Sequence, residues 1–438
     1  MAVRWGDTSL PYVKLAGTFV LFRFSQYALV IATPSKPFDD STSILLNNLV
    51  HDPIVTSSWW NTTLWNKLLH WDAVFFIKHM VTIGDGATNY EHEFAFSKFW
   101  AWCVQQLIPI QSQTDFYYIL KTAVLVTNLL HLFSVLILYE LTRTVFGKND
   151  RFNFRVALLF IFSSGAGFFT TFYSEPLSFF LAFLGLWFRE EALQTKGPYK
   201  VDWTDWPLYT VGTTLCFTLA TVNRSNCILL GIFYLYDCYR MIRHRLLLKV
   251  VFFPLLSGFL MLLGVLCQWY YVPYLQFCPE RGEWCDTSVW WVFTRQSMYA
   301  YIQSEYWGVG FLKYWTVNNL PNFLFAVPSV VILAKAVRFY GFQRGDPIAQ
   351  SLRPYCIVTV MLLFVICFCA HVQIINRVVT FLPIHLWYIC DQLERDRTHA
   401  LKDGVPVQED KLLKWYVYWL MFWIPVQTVL FASFLPPA

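Results

Sequence analysis

Apolar runs of about twenty residues, the length of helix that crosses a bilayer, recur along this chain, and lysine and arginine gather in the short stretches between them. A chain written this way has few choices. Backbone polar groups in lipid must be satisfied within their own segment, so each run has to be a helix. With 56% hydrophobic and 14% charged residues, the 438-residue chain also has too little polar surface for a water-soluble fold. No polar linker, low-complexity tract or internal repeat divides it, so residues 1–438 are expected to form a single all-α integral membrane domain. The net charge of +5 carries no nucleic-acid signal.

The positive-inside rule turns the pattern into a topology. The first span, residues 15–33, ends at Pro34 and Pro37. Residues 34–115 hold no twenty-residue apolar run and are expected to form a luminal loop with interfacial helices. A second span, 116–139, leads to Arg143, Lys148, Arg151 and Arg155 on the cytosolic side. Pairs of spans follow at 156–173 and 177–188, and at 207–222 and 227–239, before the densest basic cluster, Arg240-Met-Ile-Arg243-His-Arg245. A span at 250–272 opens a second luminal segment, 273–319, rich in aromatics such as Trp290, Trp291, Tyr299, Tyr301, Tyr306 and Trp307. Spans at 321–340, 355–370 and 378–390, with Arg344 in a cytosolic turn, precede a charged cytosolic segment, 391–411, and a last span, 412–435. The total is about eleven crossings.

The most unusual stretch for so greasy a chain is His70-Trp71-Asp72-Ala73-Val74-Phe75-Phe76-Ile77-Lys78-His79, followed by Tyr90-Glu91-His92-Glu93-Phe94-Ala95-Phe96. A helix starting near His70 would carry an aromatic stripe beside a carboxylate, and the second motif packs two acids and an imidazole into three residues. The topology sends Asp72, Lys78, Glu91, His92, Glu93, Glu175, Arg224, His371, Gln373 and Arg377 to one luminal face. Each has a plain alternative: helix capping or a structural ion pair for Asp72, a satisfied loop network for Glu91 and His92, lipid-phosphate contact for Arg224 and Arg377, and a helix-start acid for Glu175. Asn61-Thr62-Thr63 is a glycosylation sequon, usable only in the lumen of the secretory pathway. Cys278 and Cys285 are spaced to close a small disulfide loop in an oxidising lumen, and no cysteine or histidine spacing suggests a metal site.

One prominent carboxylate, several arginines and no metal cluster suit glycosyl transfer from a polyprenyl-phosphate sugar. The acceptor hydroxyl needs a base, which Asp72 would supply, and the departing phosphate needs cations such as Arg224 and Arg377. A phosphate leaves without a protonating acid, so one carboxylate suffices where glycosidases use two.

Trp71-Asp72, Tyr90-Glu-His-Glu-Phe-Ala-Phe96, Tyr173-Ser-Glu-Pro176, Asn223-Arg-Ser-Asn226 and His371-Val-Gln-Ile-Ile-Asn-Arg377 together resemble the GPI mannosyltransferase II family in its fungal form. The resemblance implies a GT-C-like helical bundle in the endoplasmic reticulum membrane, multi-pass, with a luminal site. It implies transfer of mannose from dolichyl-phosphate mannose to the GPI precursor lipid, the second mannose in α-1,6 linkage, by inverting displacement and without a metal or other cofactor. Asp72 corresponds to the base; Trp71, Glu91, His92, Glu175, Arg224, His371, Gln373 and Arg377 fall in motifs that would bind donor or acceptor. An accessory membrane subunit is left open as a partner. Rival readings are a GT-C transferase with another lipid-linked acceptor and a polytopic lipid or solute transporter, the latter predicting inverted repeats that the sequence lacks.

Overall fold

A computed structural model describes residues 9–34, 39–50, 52–82, 90–112, 115–147, 149–193, 206–280, 283–286, 297–343, 347–403 and 410–436, and no β-strand occurs among them. Lys148, Trp290, Trp291 and Arg344 lie outside the described residues. In chain order the main helices are α1 (Leu10–Ala32), α2 (Ala73–Val81), α3 (Phe116–Phe146), α4 (Asp150–Ile161), α5 (Glu175–Leu193), α6 (Trp206–Asn223), α7 (Gly231–Arg243), α8 (Phe252–Phe277), α9 (Val317–Gly341), α10 (Ile348–Cys369), α11 (Ile384–Asp403) and α12 (Lys411–Ala432). Six of them (α1, α3, α8, α9, α10 and α12) are long and apolar enough to cross a membrane. Val372–Phe381 with Ile384–Arg395 makes a seventh if its 79° bend lies inside one crossing. The remaining expected spans fall on α4 to α7, which are shorter or carry internal charges such as Arg189 and Glu190.

Two sequence expectations are corrected in detail, and a third is refined. Residues 156–173 are not one span: α4 stops at Ile161, and residues 163–171 form a buried loop. That stretch is uncharged, and protein surrounds it, Ser163, Ser164, Thr170 and Thr171 included. Its glycines permit the close approach, since a Cβ on Gly165 would meet Phe169 at 2.8 Å and one on Gly167 would meet Gln427 at 2.7 Å. Residues 378–390 break where Leu382 and Pro383 interrupt the helix. The charged segment 391–411 begins as a continuation of α11, which runs to Asp403, with Arg395 reaching Asp391 one turn earlier at 3.4 Å.

Helix α5 packs against both α3 and α6, and Glu175 at its N-terminal end is buried. The expected short helices between α1 and α3 are present, among them Ser41–Leu49, α2 and Lys98–Gln105. Beside the main core lies a separate one of Phe94, Trp269, Phe277, Trp284, Met298 and Ile302. It ties the Tyr90–Phe96 motif to the end of α8 and to Trp284, Met298 and Ile302. Cys278 and Cys285, the pair whose linkage the sequence left open, form a disulfide beside it.

Candidate active site

Helix α2 begins at Ala73, which leaves Asp72 at the capping position, yet its carboxylate makes no capping hydrogen bond. Capping is therefore not what Asp72 does, whereas the ion-pair alternative is present, since Asp72 pairs with Arg377. Trp71, just before it, has φ +57°, a left-handed conformation that costs a bulky residue energy and turns the chain sharply into the helix. The Asp72 backbone N–H donates to the Tyr173 hydroxyl at 3.1 Å, which fixes the turn against the loop preceding α5.

The side chain that meets Asp72 comes from 305 residues away. Arg377 Nη1 donates to Asp72 Oδ2 at 2.9 Å, and its Nε lies 2.8 Å from Glu175 Oε1. Arg224 Nη1 is 3.1 Å from the same Glu175 oxygen and donates to Ser174 Oγ at 3.1 Å. The Arg377 guanidinium also lies over the rings of Phe168 and Tyr173, at 5.0 and 5.2 Å from their centres. Asp72, Arg377, Glu175 and Arg224 thus alternate in sign and balance in charge. Their exposures differ usefully: Glu175 is 4% exposed and acts as the fixed anion, whereas Asp72, at 31%, is open to whatever enters.

Both arginines are delivered by the same device. Asn223, one residue before Arg224, donates to Ser174 O and Ser178 Oγ at 2.7 Å each and accepts from Ser97 Oγ at 2.6 Å. Asn376, one residue before Arg377, donates to Phe325 O at 3.0 Å and accepts from Ser329 Oγ at 2.6 Å. In each Asn-Arg pair the asparagine is spent on packing and the next side chain projects into a cavity of about 1000 Å³.

Trp71, Asp72, Arg224, His371, Gln373 and Arg377 line that cavity, and Glu175 stands behind the arginines. His371 Nε2 lies 3.4 Å from Trp307 O, and burial pushes its pKa down. Gln373 Oε1 accepts from Tyr314 at 3.0 Å. One flank is apolar, built from Ile228, Leu229, Val265, Leu362, Val365 and Ile366. No group of three His, Cys, Asp or Glu side chains placed to hold a metal occurs among the described residues.

The acids of the Tyr90–Phe96 motif are elsewhere. Glu91 accepts from Trp284 Nε1 at 2.9 Å and from the Tyr306 hydroxyl at 3.5 Å, and it does not line the cavity. His92 packs among Phe75, Tyr90 and Tyr306, its pKa lowered by burial, and is likewise outside the cavity wall. Glu93 pairs with Lys78 at 2.5 Å. The Asn61 sequon is not presented by the fold, since the side chain is buried with Nδ2 donating to Val55 O at 2.6 Å. Reading ionisable residues alone missed Tyr173, Ser174 and Phe168, although the first two adjoin Glu175 in the sequence and belong to the Tyr173–Pro176 motif.

The chain matches the family model described as Mannosyltransferase (PIG-V) over residues 12–438. It is 46% identical over 437 residues to the GPI mannosyltransferase 2 of Saccharomyces cerevisiae, covering 97% of this chain and 100% of that protein. The GPI mannosyltransferase 2 of Candida glabrata is 43% identical over 441 residues, 97% of this chain and 99% of the relative. That of Yarrowia lipolytica is 31% identical over 427 residues, 98% and 99%. Among solved structures, the apo Archaeoglobus fulgidus oligosaccharyltransferase superposes with a TM-score of 0.46 at 11% identity, over 98% of this chain and 56% of that one. So slight a likeness carries no argument.

Proposed function

Because the chain belongs to the mannosyltransferase (PIG-V) family, we propose that it transfers mannose in GPI biosynthesis, adding the second mannose in α-1,6 linkage to the GPI precursor, with dolichyl-phosphate mannose as donor. The observation that carries the reading is the Asp72–Arg377 pair, 2.9 Å apart at the wall of a cavity that has a cationic end and an apolar flank.

In this reading the donor phosphate lies against Arg224 and Arg377, and the isoprenoid chain runs along the flank that includes Leu362 and Ile366. A hydroxyl of the acceptor mannose attacks C1 of the donor mannose from the face opposite the phosphate. The new C1–O bond forms as the C1–O bond to phosphate breaks, so a β-linked donor gives an α-linked product. The hydroxyl proton passes to an Asp72 carboxylate oxygen, and the electron pair leaves with the phosphate, whose growing charge the guanidiniums stabilise. Glu175 holds both guanidiniums while lying too deep to take the proton itself.

Residues 34–115 and 273–319 would then face the lumen of the endoplasmic reticulum. Two features support that side: the basic clusters of the sequence fall opposite, and the Cys278–Cys285 disulfide suits an oxidising compartment. The test is direct. The purified chain, given radiolabelled dolichyl-phosphate mannose and a one-mannose GPI precursor, is expected to yield a two-mannose lipid sensitive to an α-1,6-specific mannosidase. Absence of transfer, or a product resistant to that enzyme, would remove the assignment.

A further inference from the structure

The cavity has two unlike walls. One carries Asp72, Arg224 and Arg377, with Glu175 behind the arginines; the other carries Trp269, Tyr299, Gln303 and Trp307, joined by Asn322 and Gln373. These are aromatic rings and neutral amides, with no ionised side chain among them. That chemistry suits a saccharide, whose hydroxyls are uncharged donors and acceptors and whose ring presents apolar C–H faces. An anionic phosphate would instead be drawn to the arginines.

The uncharged wall is built on the separate core. Trp269 belongs to that core directly, while Tyr299 and Trp307 pack against it beside Met298 and Ile302. Its position relative to Asp72 is therefore set by whatever fastens the separate core to the first part of the chain. Glu91 does this. It is 4% exposed and sits in the turn Glu91–Ala95, yet both oxygens point to the later segment: one to Trp284 Nε1 at 2.9 Å, the other to the Tyr306 hydroxyl at 3.5 Å. Trp284 directly precedes the disulfide-bonded Cys285, and Tyr306 directly precedes Trp307 of the wall.

We infer that the uncharged wall is the subsite for the acceptor's sugar, and that Glu91 is its positioning residue, acting through Tyr306 and Trp307. The inference rests on the mannosyl-transfer reading and deepens it. A carboxylate is used because its two oxygens accept from two donors at once, and the Cys278–Cys285 link keeps the Trp284 side of that tether in register.

The experiment measures KM for each substrate separately, using the full purified chain, dolichyl-phosphate mannose and the one-mannose precursor. Glu91→Ala is expected to raise the acceptor KM about tenfold while the donor KM moves by less than about twofold. Glu91→Gln, which keeps an acceptor oxygen for Trp284, is expected to restore the acceptor KM to within about threefold of the wild type. Gln303→Ala, which removes a cavity-lining amide outside the separate core, is expected to raise the acceptor KM alone, and it carries the test if Glu91→Ala fails to fold. A rise in donor KM equal to that in acceptor KM, or an acceptor KM unchanged in Gln303→Ala, would overturn the inference. A wild-type chain that transfers no mannose would instead overturn the functional reading beneath it.

Discussion

Replacing Asp72 by asparagine changes one oxygen to an amide and leaves the shape of the site intact. The Asp72 backbone N–H still donates to Tyr173, and the turn at Trp71 does not depend on the side chain. Arg377 keeps Glu175 at 2.8 Å. The lost ion pair involves a carboxylate that is 31% exposed, so its loss should cost no more than about 1 kcal/mol of stability. The rate is another matter. A positioned general base is worth about 10²- to 10⁴-fold, or roughly 3 to 5 kcal/mol of barrier. Asp72→Asn should therefore lose at least about a hundredfold in single-turnover mannosyl transfer, with its thermal unfolding in detergent nearly unchanged. Transfer within about tenfold of the wild type would refute the assignment of the base. A fall accompanied by loss of folded protein would refute the claim that the site's scaffold is independent of this carboxylate.

Arg377→Lys retains the charge but cannot reach Asp72 and Glu175 together while lying over Phe168 and Tyr173, so the donor KM should rise about tenfold or more; an unchanged donor KM would discard its contact with phosphate. His70 and His79 are both pushed down to about 4, mainly by burial, so the folded state favours their neutral rings. Their contribution is present above the unfolded pKa near 6.5 and is lost as pH falls towards 4. Each should cost about 2 kcal/mol by pH 5, read as a lower melting temperature at pH 5 than at pH 7. His79→Gln, whose amide can still donate to Glu93 O, should reduce that difference, and a melting temperature flat across the range would contradict the burial argument.

Much of the fold was legible because bilayer chemistry writes itself into hydropathy. What hydropathy could not distinguish was a segment apolar because it meets lipid from one apolar because protein surrounds it. Residues 156–173 mix the two, since α4 gives way at residues 163–171 to an uncharged loop buried by protein, where Gly165 and Gly167 allow close contacts. The site was legible as a set of luminal polar groups, since a charge near a membrane must be paired or used. Its pairing was not, because the partner of Asp72 lies 305 residues away and nothing local to either residue encodes the contact. Glu91 shows the opposite failure. A dense run of acids reads as chemistry, yet its carboxylate is taken up by Trp284 and Tyr306, two aromatic donors whose ring bodies gave no hint of a polar partner.

The most direct test of mannose transfer to the GPI precursor is the lipid profile of cells from which this chain has been removed. Accumulation of the precursor carrying one mannose, cleared when the wild-type chain is restored but not when Asp72→Asn is, is the predicted result. A profile unchanged by the removal would contradict the account.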